Sequence, residues 1–232
     1  KPYLCLRGAA YIASRIVLII FTLGIGLAMQ YARAATASAP IYLYNSPHSA
    51  EAWKEKGQSY NDMLGSWRRY LKKFGPEAKE ISRQELLALP AGHSVLILSS
   101  AIALDNEEKL AIDRLARQGT NLLGTGLIGT LGARSSPVGL EFLHRTFRVR
   151  THGEFTSDDG LFMMPFGDGP ITWPVPAGRR MDVGGDGNSG AIRVESANLA
   201  AVMLGWDRIM DPQVHGVLAY DESSQNRVVY SG

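Results

Sequence analysis

From Ile41 onward, apolar and polar positions switch between short continuous runs and a helical period of three to four residues. Ile41-Tyr42-Leu43-Tyr44 reads as a first strand, closed by the turn signal Asn45-Ser46-Pro47. Over Ser59 to Phe74, Leu64, Trp67, Leu71 and Phe74 recur on one helical face. Arg68, Arg69, Lys72 and Lys73 fall elsewhere, and Gly75-Pro76 ends the helix. A short strand follows near Ala78 to Ile81. Ser82 with Glu85 then has capping-box spacing for a short helix through Leu89. Ser94 to Ser100 (SVLILSS) is a near-continuous apolar run, which suits a strand buried on both faces of a parallel sheet. Asp105 with Glu108 opens a further helix that ends at Gly119. Thr120 to Gly124 reads as the next buried strand, followed by a glycine-rich loop. Pro137 is placed to start a helix with Leu140 and Leu143 on its buried side.

Strands alternating with helices at this spacing predict an α/β fold: a doubly wound parallel sheet with flavodoxin-like topology. After about Thr146 the pattern changes. Leu161 to Phe166, Ala191 to Glu195, Val214 to Tyr220 and Arg227 to Ser231 are short runs between Gly, Pro and Asp turns, read as antiparallel additions. Asp221 to Gln225 is expected to form a hairpin turn between the last two. The folded domain is therefore placed at residues 41–232.

The N-terminal region has a different pattern. Residues Ile16 to Met29 carry no charge, and the apolar stretch runs from about Tyr11 to Ala32, about the 20 residues a helix needs to cross a bilayer core. Lys1, Arg7 and Arg15 precede it, and only Arg33 follows before Lys54. The excess of positive charge on the N-terminal side predicts a cytoplasmic N-terminus and an exported domain. The expected organisation is a cytoplasmic tip and single transmembrane anchor over 1–33, a small-residue linker over 34–40, and a periplasmic or extracellular domain. A cleaved signal peptide is the competing reading, since Ala32-Arg33-Ala34 has the small-x-small form, but Arg33 makes it a poor cleavage site. Both readings export the domain. The chain begins with Lys1 rather than Met and stops in what reads as a strand, so a longer natural protein is expected.

Composition narrows the function classes. Hydrophobic residues are 45% and charged residues 20% of the 232, enough for a real core. The net charge is +2, and residues 1–33 alone contribute +4, so residues 34–232 sum to −2. No basic run follows, which argues against nucleic acid as a partner. The one cysteine, Cys5, precedes the apolar stretch, so the exported part has no disulfide and no cysteine chemistry.

The segments WRRYLKKFG and SVLILSSAIALDNEEKLAIDRLARQGTNLLGTG together resemble the glutamine-amidotransferase-like domains that accompany bacterial polysaccharide deacetylases and some galactosidases. Gly169-Pro170-Ile171-Thr172, Pro176-Ala177-Gly178-Arg179 and the closing Arg227 to Gly232 belong to the same resemblance, which covers roughly residues 40–232. It implies a flavodoxin-like fold, placement in the cell envelope and often a deacetylase domain further along the chain.

Amidotransferase chemistry needs a thiolate on a strand-to-helix elbow, with a His as base. The elbow expected here, Gly124-Thr125-Gly126, has no Cys, and Thr125 has no evident partners. Gly124 to Gly129 also matches GxGxxG, but it follows a late strand, and Gly132 and Pro137 delay the next helix. A structural turn is the better reading. Thr156-Ser157-Asp158-Asp159-Gly160 is similar to the TFDDG of polysaccharide deacetylases, where paired Asp residues serve as base and metal ligand. Of the five His (His48, His93, His144, His152, His215), no two are spaced four apart to complete a Zn²⁺ site, so Asp158 and Asp159 are only a weak metal alternative. His152-Gly153-Glu154 is a further group that folding would have to bring near it. Asp182 to Gly187 lacks the ligand alternation of a Ca²⁺ loop. Among Trp53, Trp67, Trp173 and Trp206, Trp67 has core phase and Trp173 is the best exposed aromatic for stacking on a sugar.

In open α/β sheets the ligand crevice lies beyond the carboxyl ends of the parallel strands. The candidate ligand-binding residues are therefore Asn45, Ser46, His48, Ser99, Ser100, Gly124, Thr125 and Gly126, together with Trp173. No cofactor and no catalytic residue are expected. The expected function is a non-catalytic, membrane-anchored envelope domain that binds a glycan or a membrane-protein partner. It would contact membrane lipid through its anchor and serve as an accessory subunit of a membrane complex. The alternative is the N-terminal part of a metal-dependent polysaccharide deacetylase.

Overall fold

The computed structural model describes residues 39–74, 77–156, 161–165, 178–179, 181–184, 190–196, 198–206, 212–223 and 226–232. Contacts divide the chain into Lys1–Ala39 and Pro40–Gly232, and every described helix and strand belongs to the second unit. Its first half combines strands and helices, with one helix, α1, that the sequence reading did not expect: β1 (Ile41–Tyr44), α1 (Pro47–Glu55), α2 (Tyr60–Phe74), β2 (Ala78–Ile81), α3 (Arg83–Ala88), β3 (Val95–Ser99), α4 (Asn106–Arg117), β4 (Asn121–Thr125) and α5 (Glu141–Phe147). The second half is all strand among the described residues: β5 (Arg150–Thr156), β6 (Leu161–Pro165), β7 (Met181–Gly184), β8 (Gly190–Glu195), β9 (Leu199–Trp206), β10 (Pro212–Glu222) and β11 (Arg227–Ser231).

The main sheet has nine strands in the order β2-β1-β3-β4-β11-β10-β9-β6-β7, and β5 pairs with β8 in a separate two-stranded sheet. The strands from β2 to β11 run parallel, and the rest pair antiparallel. Successive residues of the central strands face opposite sides, and both sides are covered. Leu96 and Leu98 enter one core with Tyr44, Leu122, Ile112 and Tyr230, whereas Leu43 and Ile97 enter another with Tyr60, Leu64 and Leu71 of α2. Burial on both faces is why SVLILSS shows no alternation.

Three expectations are corrected. The fold is not a flavodoxin-like parallel sheet with additions, because its sheet is mixed and the late strands complete it rather than decorate it. Strand β11, last in sequence, lies parallel beside β4, with Val228 opposite Leu122 and Ser231 opposite Thr125. The single-pass anchor fell on residues 1–33, which lie outside the described residues. Among the described residues no helix is long and apolar enough to cross a membrane. The longest, α2, has 15 residues, which span about 22 Å against a bilayer core of about 30 Å. The membrane localisation drawn from the anchor is accordingly set aside. The third correction is local. The helix expected from Pro137 begins at Glu141, and the backbone of Val138 is instead bonded to Thr130 in a short loop bridge.

Candidate functional site

The order β2-β1-β3 places a switch point between the carboxyl ends of β1 and β3. The chain leaves β1 toward β2 on one side and leaves β3 toward β4 on the other. Diverging loops at such a point normally leave a crevice for a ligand. Here α1 and the loop 100–105 close over it. Ser46 is the N-cap of α1, accepting the Ser49 N–H at 3.2 Å, and Pro47 supplies the preset first turn. Ser46 Oγ and Ser49 Oγ donate to the Ala103 carbonyl at 3.1 and 2.8 Å, and the Ala103 N–H returns to Ser49 Oγ at 3.0 Å. The Trp53 indole N–H donates to the Ser100 carbonyl at 2.9 Å. Replacing Ser46 with alanine removes a cap and a buried crosslink together. We expect a loss of about 2 kcal/mol in chemical denaturation, and an unchanged midpoint would show that the cap carries nothing.

Beside this closure lies a polar cluster, part-exposed except at Glu108 and Tyr44. Asp105 caps α4 and forms a capping box with Glu108: its N–H reaches Glu108 Oε2 at 2.6 Å, and the Glu108 N–H reaches Asp105 Oδ1 at 2.8 Å. Glu108 is fully buried, and its second oxygen accepts from the Tyr44 hydroxyl at the end of β1. His48 Nε2 sits 3.3 Å from Asp105 Oδ2 and 3.8 Å from Glu108 Oε2. Arg83, at the start of α3, donates to Asp105 Oδ2 from Nε at 2.8 Å and Nη2 at 2.6 Å, and reaches Glu107 at 2.5 Å. Burial raises the Glu108 carboxyl above the ordinary carboxylate range, against the opposing pull of the Tyr44 hydrogen bond. Burial also acts on Asp105, but the Glu108 N–H and Arg83 outweigh it and hold Asp105 below its ordinary value. The Tyr44 phenol is driven far up by burial first and by Glu108 second.

This is the one His/Asp/Glu group among the described residues with the spacing for a cation: its three ligand atoms lie within 4.8 Å of one another. Its donors do not fit one as arranged. Asp105 Oδ2 is covered by the Arg83 guanidinium, and Glu108 Oε2 is taken by a backbone N–H. A divalent ion there would sit against a fixed positive charge. The dyad of His48 and Asp105 has the geometry of a base and its orienter, but no hydroxyl or thiol is hydrogen-bonded to His48 among the described residues.

The structure places the eight expected strand-end residues along one edge, at the ends of β1, β3 and β4. Their polar groups are largely engaged within the fold. Asn45 donates to Glu80 at 2.8 Å. Ser99 is buried, with Thr125 Oγ1 at 3.5 Å. The Ser100 N–H reaches both the carbonyl and hydroxyl of Thr125, at 3.0 and 3.2 Å, and Ser100 adopts φ +48°. Gly124 lies under Phe147 and Ile128, and a Cβ on Gly129 would lie 2.7 Å from Phe142. The GxGxxG spacing therefore serves packing and turns, and no helix starts until Glu141. Trp173, Asp158 and Asp159 lie outside the described residues. The sequence alone does not mark Arg83, Tyr44, Asp105 and Glu108 as site residues. Only the capping-box spacing of the last two was visible, because their partners come from 22 and 64 positions away.

No family model matches the chain, and no curated protein does. The fold does match solved structures. A catalytic mutant of a GH42 β-galactosidase from G. stearothermophilus superposes with a TM-score of 0.64 at 13% identity, covering 84% of this chain and 27% of that one. The β-galactosidase of Bacillus circulans sp. alkalophilus gives 0.62 at 12%, covering 83% and 28%. That of Rahnella sp. R3 gives 0.64 at 11%, covering 84% and 28%. The chain thus spans about a quarter of the length of these three galactosidases, and at these identities the likeness is one of fold alone. The assignment to the amidotransferase-like domains of polysaccharide deacetylases is corrected accordingly: no family model supports it, and the chain's fold is shared with part of glycoside hydrolases.

Proposed function

We propose that this domain is a non-catalytic, carbohydrate-associated module that binds a glycan. The observation that carries the reading is the closed switch point. The hydroxyls of Ser46 and Ser49, where a reacting group would sit in an open α/β sheet, are spent on the Ala103 carbonyl. The one His–Asp pair beside them faces Arg83 rather than a nucleophile. The fold likeness to part of β-galactosidases supports the carbohydrate half of the reading. A nucleic-acid partner has little to recommend it. In the broad groove between α5 and β5, Arg145 and Arg148 are neutralised by Asp113 and Asp221 at 2.7 and 2.6 Å. The deacetylase alternative would need Asp158 and Asp159, outside the described residues, or a cation at a cluster whose oxygens Arg83 and a backbone N–H already hold.

The test is paired. The full chain is expected to be retarded in native gels containing soluble galactan or glucan, and to show no turnover of nitrophenyl β-galactoside or acetylated chito-oligosaccharides. Turnover abolished by His48→Ala would overturn the non-catalytic half. Mobility unchanged by every polysaccharide would overturn the binding half.

A further inference from the structure

A cavity opens at the same end of the sheet, outside the closed switch point. Its volume is about 430 Å³, within the range of small-molecule sites. Trp53, near the end of α1, forms one wall. Ile102 from the loop after β3 and Leu127 and Leu131 from the loop after β4 form the rest of an apolar floor. Lys56, Gln58 and Thr130 stand around it.

The floor is fixed before anything binds. The two loops are laced together by Gly129 N–H to Ala101 O and Leu131 N–H to Ile102 O, both 2.9 Å, and by Leu104 N–H to Leu131 O at 3.1 Å. The indole ring is held by its hydrogen bond to Ser100 O, so stacking on it costs little ordering entropy. The rim, by contrast, is uncommitted. The Lys56 and Gln58 side chains are exposed and engage no described residue, and Thr130 Oγ1 donates to Leu127 O at 3.0 Å, which leaves its lone pairs free to accept.

We propose that this cavity is a saccharide subsite that takes one pyranose ring of the glycan, an inference that rests on the glycan-binding reading above. A pyranose has an apolar C–H face and a belt of hydroxyls, and the cavity has the matching pair of surfaces. The C–H face lies on Trp53 and the leucines, and the ring hydroxyls reach Lys56, Gln58 and Thr130. An apolar side chain of a partner protein would use the floor and leave Lys56 and Gln58 unpaired at the rim.

Titration of the full ¹⁵N-labelled chain with methyl β-D-galactopyranoside and with β-1,4-galactotetraose tests this by the indole and amide signals. The expected result is saturable shifts at Trp53 and Leu127 to Leu131 in roughly the millimolar range. Leu127→Arg, which fills the cavity, is expected to abolish them. Because that change also touches packing, Lys56→Ala serves as the second variant. It alters an exposed side chain and is expected to weaken binding about five-fold. Binding that shifts other residues, or that survives both variants unchanged, overturns the subsite while leaving the glycan-binding reading intact. No shift with either saccharide, together with unchanged mobility in polysaccharide gels, overturns both.

Discussion

Replacing Glu108 with alanine is expected to cost about 3 kcal/mol of stability. The side chain is fully buried, and the Tyr44 hydroxyl and the Asp105 N–H depend on it, with the Ser46 hydroxyl a longer third donor at 3.5 Å. Truncation leaves the first two without their acceptor in the interior of the fold. It also dissolves one half of the capping box that starts α4. Glu108→Gln keeps one acceptor oxygen for either the Tyr44 hydroxyl or the Asp105 N–H and is expected to cost about 1 kcal/mol. The two variants differ also in their response to pH. Burial raises the folded-state value of Glu108 above its ordinary 4.5, so the folded state holds this proton more tightly than the unfolded chain does. The stability it contributes is complete below about 4.5 and is lost as pH rises through the raised value. Asp105 acts in the opposite sense. It is held below its ordinary 3.8, so its contribution is present above that value and lost as pH falls below it. Glu108→Gln should therefore close its gap to the parent protein as pH rises from 4.5 toward neutrality. Urea denaturation of the three proteins at several pH values reads both effects. Equal midpoints for alanine and glutamine at every pH would mean that the buried carboxylate is not what joins β1 to α4.

The same network explains which parts of the molecule could be read in advance. The parallel strands were legible because burial on both faces writes itself as an unbroken apolar run, as in Val95–Ser99. Both capping boxes were legible because their geometry is local, three residues apart. Helix α1 was not. It buries Ser49 and Ala52 rather than large apolar residues, so its sequence PHSAEAWKE carries no clear helical period, and Asn45-Ser46-Pro47 read as a turn. Its start was nevertheless encoded, by the N-cap Ser46 and the Pro after it. The sheet order escaped for a different reason. Nothing within Arg227–Ser231 says that it pairs with β4, more than 100 positions earlier. That pairing is what converts an apparently parallel fold with a decorated end into one mixed sheet. The candidate site shares this limit. The strand-end residues were foreseen as neighbours, but whether they line a crevice or fill it depends on Ala103, Tyr44 and Arg83 arriving from other elements.

Gly216→Ala is expected to destabilise the protein by about 3 kcal/mol. Strand β8 of the small sheet crosses β10 at this glycine. A Cβ there would press into the backbone carbonyl oxygen of Val194, with the two Leu199 methyls at 2.7 and 2.9 Å. Val194 is buried in the main core, and Leu199 packs against it. Relief would require moving a backbone oxygen in a paired strand, which a side-chain rotation cannot supply. The ladder between β9 and β10 already shifts register between Gly216 and Leu218, a bulge that bends β10 at the crossing. Gly65→Ala is the matched control. It lies within α2, where an added Cβ meets only an Arg69 side-chain nitrogen at 3.6 Å, and alanine there should stabilise by about 0.5–1 kcal/mol through helix propensity. Thermal and urea denaturation of both variants should move the midpoints in opposite directions. If Gly216→Ala melts with the parent protein, the two sheets do not cross as closely as this carbonyl contact requires.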